Sequence, residues 1–154
     1  MQRNLNIREA TFKDLELLAK YDDQVNQTPW TKHRYHSSFT NRDKIFILEF
    51  NSSKEIIATI VFNVVGNDSD ILQIWVRQEY LRQGYSEILF KYTIEQLINL
   101  EVSQIFLEVV EYNQAAINLY TKLGFKYLHL RKNYYRIGGN SVNAIVMKLE
   151  LTNL

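Results

Sequence analysis

Gln104-Ile105-Phe106-Leu107-Glu108-Val109-Val110-Glu111-Tyr112-Asn113-Gln114-Ala115-Ala116-Ile117-Asn118-Leu119-Tyr120-Thr121-Lys122-Leu123-Gly124-Phe125 carries the decisive pattern of this chain. Gln104–Val110 is a short run rich in apolar and β-branched residues, which predicts a buried strand. Asn113 is a good N-cap, because its side-chain oxygen can accept from an N–H of the first helical turn. A helix is therefore expected through Leu123, with Gly124 placed to end it in a left-handed conformation. Phe125 to Leu130 reads as the next strand.

Working outward, Ile71 to Val76 predicts a strand, and after a polar loop Gly84 opens a helix reaching about Leu100. Leu89, Phe90, Ile94, Leu97 and Leu100 give that helix a wide apolar face, with Glu87, Lys91, Glu95 and Asn99 opposite. The centre of the chain is thus a strand–loop–helix–strand–helix unit. Before it, Ile7–Ala10 reads as a short strand, and Thr11 with Asp14 three positions on starts a helix striped by Phe12, Leu15 and Leu18. Thr28-Pro29-Trp30-Thr31 interrupts the helix, and a second runs from Thr31 to about Phe39. Lys44–Phe50 and Ile56–Val65 form a hairpin-like pair, Gly66–Asp70 is a turn, and Val142–Leu151 is the last strand. The order is mixed α/β.

Length and composition bound what such a chain can do. With 154 residues it is expected to be a single domain, residues 1–154, large enough for one core. Apolar residues are 46% and charged residues 23%, the balance of a globular protein, and a net charge of +1 gives no general attraction to nucleic acid or membrane. The absence of cysteine excludes disulfides, thiolate metal sites and a cysteine nucleophile together. His33, His36 and His129 lack ligand spacing, so no metal is expected. Met1-Gln2-Arg3-Asn4-Leu5 has none of the apolar run of a signal peptide, which makes the cytoplasm the expected location.

Several residues have side chains suited to chemistry. The loop Arg82-Gln83-Gly84-Tyr85-Ser86-Glu87 enters a helix, whose unpaired N–H groups and positive dipole suit a phosphate. Gly84 would let the backbone approach an anion, or merely turn the chain. Strand amides at Ile74, Trp75 and Val76 can serve as an oxyanion site if the strand splays from its neighbour. Glu108 stands in the middle of an apolar strand. It is expected to be paired, wetted through a cavity or raised in pKa as a general base, unless that sheet face is open to water. Tyr120 shares a helical face with Ala116 and Leu123, the place of a core aromatic.

Leu107 to Phe125, together with Arg131-Lys132-Asn133-Tyr134-Tyr135 and Ala144-Ile145-Val146-Met147, resembles the second half of the GNAT N-acetyltransferases, and of the ribosomal-protein-alanine acetyltransferases in particular. Ile74-Trp75-Val76 and Arg82-Gln83-Gly84-Tyr85-Ser86 are similar to the cofactor segment of that family, and Pro29-Trp30 to its N-terminal loop. The resemblance implies a seven-stranded mixed sheet flanked by about four helices and splayed between its fourth and fifth strands, with acetyl-coenzyme A in the gap. It implies that Ile74, Trp75 and Val76 hold the acetyl and pantetheine, that Arg82, Gln83, Gly84, Tyr85, Ser86 and Glu87 cradle the pyrophosphate, and that Asn113 touches the cofactor arm. Glu108 matches the proton acceptor and Tyr120 the proton donor. Tyr134 and Tyr135 match a loop that lies against the acceptor, and Trp30 belongs to the substrate side.

Three positions depart from the pattern. Leu81 stands where glutamine or arginine is usual, Ser86 where a second glycine or alanine is usual, and Trp75 where a small residue is common. Trp75 is expected to crowd a neighbouring layer. Asn143 replaces a typically acidic residue. The implied activity is acetyl transfer to a primary amine, foremost the α-amine of a protein N-terminus, by direct attack in a ternary complex. A small amine or polyamine acceptor, a lysine acceptor, or a non-catalytic acetyl-coenzyme A-binding regulator are the alternatives. A monomer or homodimer is expected.

Overall fold

A computed structural model describes residues 4–151. Seven strands form one mixed sheet: β1 (Leu5–Glu9), β2 (Lys44–Phe50), β3 (Ile56–Phe62), β4 (Asp68–Val76), β5 (Gln104–Val110), β6 (Lys126–Ile137) and β7 (Asn140–Glu150). The α-helices are α1 (Leu15–Val25), α2 (Lys32–Thr40), α3 (Tyr85–Asn99) and α4 (Gln114–Lys122). Strand order is β1-β2-β3-β4-β5-β7-β6. The β4–β5 pair is parallel and needs a crossover, which α3 supplies; the β1–β2, β2–β3, β5–β7 and β6–β7 pairs are antiparallel. This is the mixed α/β architecture expected.

The chain divides into two compact units that interleave in sequence. One takes the residues through Asn63 and Leu72–Thr93; the other takes Val64–Ile71 and the residues from Ile94 onward. β4 therefore contributes its first half to the second unit and its second half to the first.

In the first unit, Leu15, Leu18, Tyr35, Ile45, Ile47, Ile56, Val61 and Trp75 form a buried cluster. The predicted helix start at Thr11 is a capping box: the Asp14 carboxylate accepts from the Thr11 N–H at 2.7 Å. The first turn is 3-10, however, and Phe12 is exposed rather than part of the apolar stripe; its ring stands edge-on to His36. Thr31 caps α2 by accepting from the Arg34 N–H.

In the second unit, β4 pairs Asp68, Ser69 and Asp70 with Gln104, Ile105 and Phe106. The expected turn Gly66–Asp70 thus contracts. Val65 and Asp68 bridge each other across Gly66 and Asn67, so β4 begins three residues earlier than its apolar run and β3 ends at Phe62, not Val65. Gly66, at φ +60°, takes the left-handed conformation of this tight turn. Asn113 caps α4 by accepting from the Ala116 N–H at 3.2 Å, as read from the sequence. Gly124 ends that helix at φ +102°; there an added Cβ would meet the Leu149 side chain at 3.1 Å.

β6 is the largest departure. It continues to Ile137, past the expected end at Leu130, and takes up Tyr134 and Tyr135, where the resemblance implied a loop. The strand is not regular there. Arg131 faces Ala144 and Tyr135 faces Val142, so β6 advances four residues while β7 advances two. This bulge places Asn133 at φ +55°, and its N–H donates to Asn143 Oδ1 at 2.9 Å.

Candidate active site

The phosphate-loop candidates lie in the first unit. After β4, Arg82 (φ +61°) and Gly84 (φ +81°) both take left-handed backbone, turning the chain sharply into α3. The Gly84 carbonyl accepts from the Ile88 N–H at 3.1 Å, which makes Gly84 the residue that caps the helix. The N–H groups of the first turn have no acceptor inside the helix and point outward from its positive end. An added Cβ on Gly84 would meet nothing within 4 Å, so the space beside this backbone is open. Arg82, Gln83 and Gly84 are exposed and Ser86 and Glu87 half-buried. Tyr85 differs: its ring is buried, edge-on to Phe50 and Tyr80, and only its backbone is left for a ligand. The Glu87 carboxylate is paired with Lys91 at 2.9 Å.

Ile74, Trp75 and Val76 occupy the end of β4. Trp75 does not crowd its surroundings as expected. Its indole is buried and Nε1 donates to the Tyr35 hydroxyl at 2.8 Å, so the large ring is both packed and satisfied. Trp30 is half-buried, edge-on to Tyr35 and covered by the Arg34 guanidinium at 4.5 Å.

The acid–base candidates lie in the second unit. β5 alternates: Ile105, Leu107 and Val109 are buried, while Phe106, Glu108 and Val110 lie on the other, half-open face. Glu108 therefore takes the paired and half-open alternatives left by the sequence: it is about a quarter exposed and ion-paired with Arg131. Tyr120, on α4, is buried, and its ring leans on Phe125 with centroids 6.0 Å apart. Burial pushes its phenol up to about 12, so it remains a proton donor at neutral pH.

The bulge in β6 adds two tyrosines and an arginine to this group. Arg131, across β7 from β5, lays its guanidinium over the Tyr134 ring at 4.2 Å, and Tyr134 meets Tyr135 edge-on at 4.9 Å. The Tyr135 hydroxyl is raised above its ordinary value by burial first, then by the charge of Glu108 and by Tyr134 and Tyr120. Glu108, Tyr120, Tyr134 and Tyr135 thus share one electrostatic neighbourhood. Asn113, beyond its capping bond, is exposed. Among the described residues no group of three or more His, Asp or Glu could hold a metal, and no helix is long and apolar enough to cross a membrane. The opening residues Met1–Arg3 of the supposed leaderless start lie outside the described residues.

Sequence reasoning missed Arg131, Asp22, Tyr35 and Gln73. Asp22 had a signal: it follows Leu15 and Leu18 at helical spacing, a carboxylate on an apolar stripe. Arg131 had none, because its meeting with Glu108 depends on the β5–β7–β6 order.

The seven-stranded mixed sheet with its parallel β4–β5 pair places the chain in a class of acyl-transferring enzymes. The chain belongs to the acetyltransferase (GNAT) family, whose model matches residues 7–125. It is 30% identical over 145 residues, 93% of its length and 97% of the relative's, to the [ribosomal protein bS18]-alanine N-acetyltransferase of Escherichia coli K12. The crystal structure of the Escherichia coli ribosomal-protein-S18-alanine N-acetyltransferase superposes with a TM-score of 0.88 at 29% identity, covering 97% of this chain and 98% of that one. Arabidopsis thaliana NAA60, solved in complex with a bisubstrate analogue, shares the fold at a TM-score of 0.88 and 17% identity, covering 98% of this chain and 100% of that one.

Proposed function

We propose that this chain works as one N-terminal acetyltransferase domain, moving the acetyl group of acetyl-coenzyme A onto the α-amine of a protein that begins with alanine, a ribosomal protein such as bS18 foremost. The observation that carries the reading is the Glu108 carboxylate on the half-open face of β5, tied through Arg131 to the Tyr134–Tyr135 pair. The named activity of the Escherichia coli relative supports the acceptor class, and its ribosomal substrate supports a cytoplasmic setting.

The site residues take the following parts. Arg82, Gln83, Gly84, Ser86 and Glu87, with the backbone of Tyr85, receive the pyrophosphate; Ile74, Trp75 and Val76 offer backbone N–H groups to the acetyl and pantetheine; and Asn113 meets the cofactor arm. Trp30, Tyr134 and Tyr135 line the path of the acceptor. An α-amine has a pKa of about 8, so Glu108 has a modest task in taking its proton. The free amine attacks the thioester carbon, a C–N bond forms, and the oxyanion collapses with cleavage of the C–S bond to release the thiolate, the remaining extra proton on nitrogen passing to solvent. Tyr120 supplies the proton that converts the leaving thiolate, whose pKa is about 8.5, to the thiol. No covalent enzyme intermediate is needed.

The test is coenzyme A release with a peptide carrying an N-terminal alanine, followed by mass spectrometry of the product. Acetyl on the α-amine is expected. Acetyl only on lysine side chains, or turnover only with free polyamines, would replace this acceptor class with another. Absence of thiol release with every amine would leave a binding regulator.

A further inference from the structure

Hydrogen-bonded to Gln73, in the half of β4 that precedes Ile74–Val76, is a buried carboxylate that the mechanism does not use. Asp22, on α1, is fully buried, and its named partners are neutral donors. The Tyr35 hydroxyl donates to Oδ2 at 2.5 Å, Asn26 Nδ2 to Oδ1 at 2.5 Å, and the Trp30 N–H to Oδ2 at 3.2 Å. Gln73 Nε2 reaches both carboxylate oxygens, at 3.2 and 3.3 Å, and lies 3.4 Å from the Thr28 carbonyl. The Asp22 carbonyl accepts from the Asn26 N–H as α1 ends.

These bonds have a direction. Tyr35 accepts from Trp75 Nε1, so its own proton is committed to Asp22. Asp22 therefore joins four pieces of chain: the end of α1, the segment 26–30, α2 through Tyr35, and β4 through Gln73 and, by way of Tyr35, Trp75. Burying a carboxylate without a cation costs more than an apolar residue would, and burial does push this carboxyl above its ordinary range. Mere packing would not need a carboxylate at this point; a loop whose several donors converge on one acceptor does. The loop held is the one that presents Trp30.

We propose that Asp22 is a positioning residue for the acceptor, fixing the segment from Asn26 to Trp30 against β4 so that Trp30 meets the first residues of the incoming peptide in one geometry, with Trp75 as the second tie to the same strand. The inference rests on the reading that Trp30 contacts the acceptor. Asp22 touches neither acetyl-coenzyme A nor the reacting atoms, so its loss should appear in acceptor binding and not in cofactor binding.

The experiment compares Asp22→Asn, Gln73→Met and Trp30→Ala with the parent protein, using an alanine-starting peptide and acetyl-coenzyme A, together with hydrogen exchange at the Trp30 amide. Removing a hydrogen bond to a charged group predicts a rise of about tenfold in the KM for peptide in Asp22→Asn, with the KM for acetyl-coenzyme A moving less than about twofold. Faster exchange at Trp30 should accompany it. A peptide KM that stays put while Trp30 exchange accelerates overturns the proposal. Should Asp22→Asn fail to fold, Gln73→Met severs the Thr28 and Asp22 contacts at similar volume and must raise the peptide KM in the same sense; an unchanged value is equally fatal. An unchanged peptide KM in Trp30→Ala overturns the acceptor reading itself, and the proposal with it. A raised value there with none in the other two overturns only the role of Asp22.

Discussion

The Arg131 guanidinium meets the Glu108 carboxylate at 2.5 Å while its flat face lies 4.2 Å from the centre of the Tyr134 ring. Three side chains from two strands are thereby tied together across β7. The pair is partly exposed, so its value lies in orientation more than in stability. It fixes Glu108 Oε1 against Arg131.

Glu108→Gln keeps the shape of this pair and removes the carboxylate proposed as proton acceptor. Turnover should fall by about two orders of magnitude, the usual size for loss of one general base. The urea midpoint should remain close to that of the parent, because the side chain is not in the core. Equal turnover in the two proteins would strip Glu108 of the role.

Tyr120→Phe removes a buried hydroxyl whose phenol is raised to about 12 from an ordinary 10. Turnover should drop, again without unfolding. The sign of the pH effect follows from the shift. The folded state binds this proton more tightly than the unfolded chain, so its stabilising effect is present below pH 10 and lost as pH rises towards about 12. Thermal melts at stepped pH should show a steeper alkaline decline in the parent than in Tyr120→Phe.

Gly84→Ala places a side chain at φ +81°, where there is room for a Cβ but the backbone is strained. Strain of about 1 to 2 kcal/mol is expected in denaturant titrations. Acetyl-coenzyme A should also bind more weakly, since relaxing the strain moves the amides of the first turn of α3. A ligand-induced melting shift as large as that of the parent would contradict the pyrophosphate assignment.

Asn143→Asp restores the acidic residue usual in the resembling subfamily. Asn143 Oδ1 accepts from the Asn133 N–H, a bond that aspartate keeps, whereas its Nδ2 donates to Glu111 at 3.3 Å, a bond that aspartate turns into repulsion. The net change should be a destabilisation of less than about 1 kcal/mol, eased by salt removal of the repulsion. A melt at low and high ionic strength decides it; a variant more stable than its parent at low salt would show the bulge to be held otherwise.

The central elements were legible because their signals are local. The periodicity of Gln104–Val110, the cap at Asn113 and the stop at Gly124 each act within a few residues of backbone, and the observed β5 and α4 follow them. Glu108 stood out as a carboxylate in an apolar strand and Tyr120 as a core aromatic, but their roles came only from the family pattern; the partner of Glu108 cannot be read from one strand. Alternation along β5 decided which face Glu108 took, and the bulge in β6 decided where Tyr134 and Tyr135 stand.

By itself the sequence determined the order of strands and helices, the glycine at the head of α3, the caps, and the absence of cysteine chemistry, all of which depend on residue type and near neighbours. Tertiary structure alone decided that Arg131 would hold Glu108, that Trp75 would be satisfied by Tyr35, and that Asp22 would gather segments 51 residues apart, the separation from Gln73. Those meetings are set by strand order and by the cost of leaving a buried polar group without a partner, neither of which is a property of any short stretch of chain.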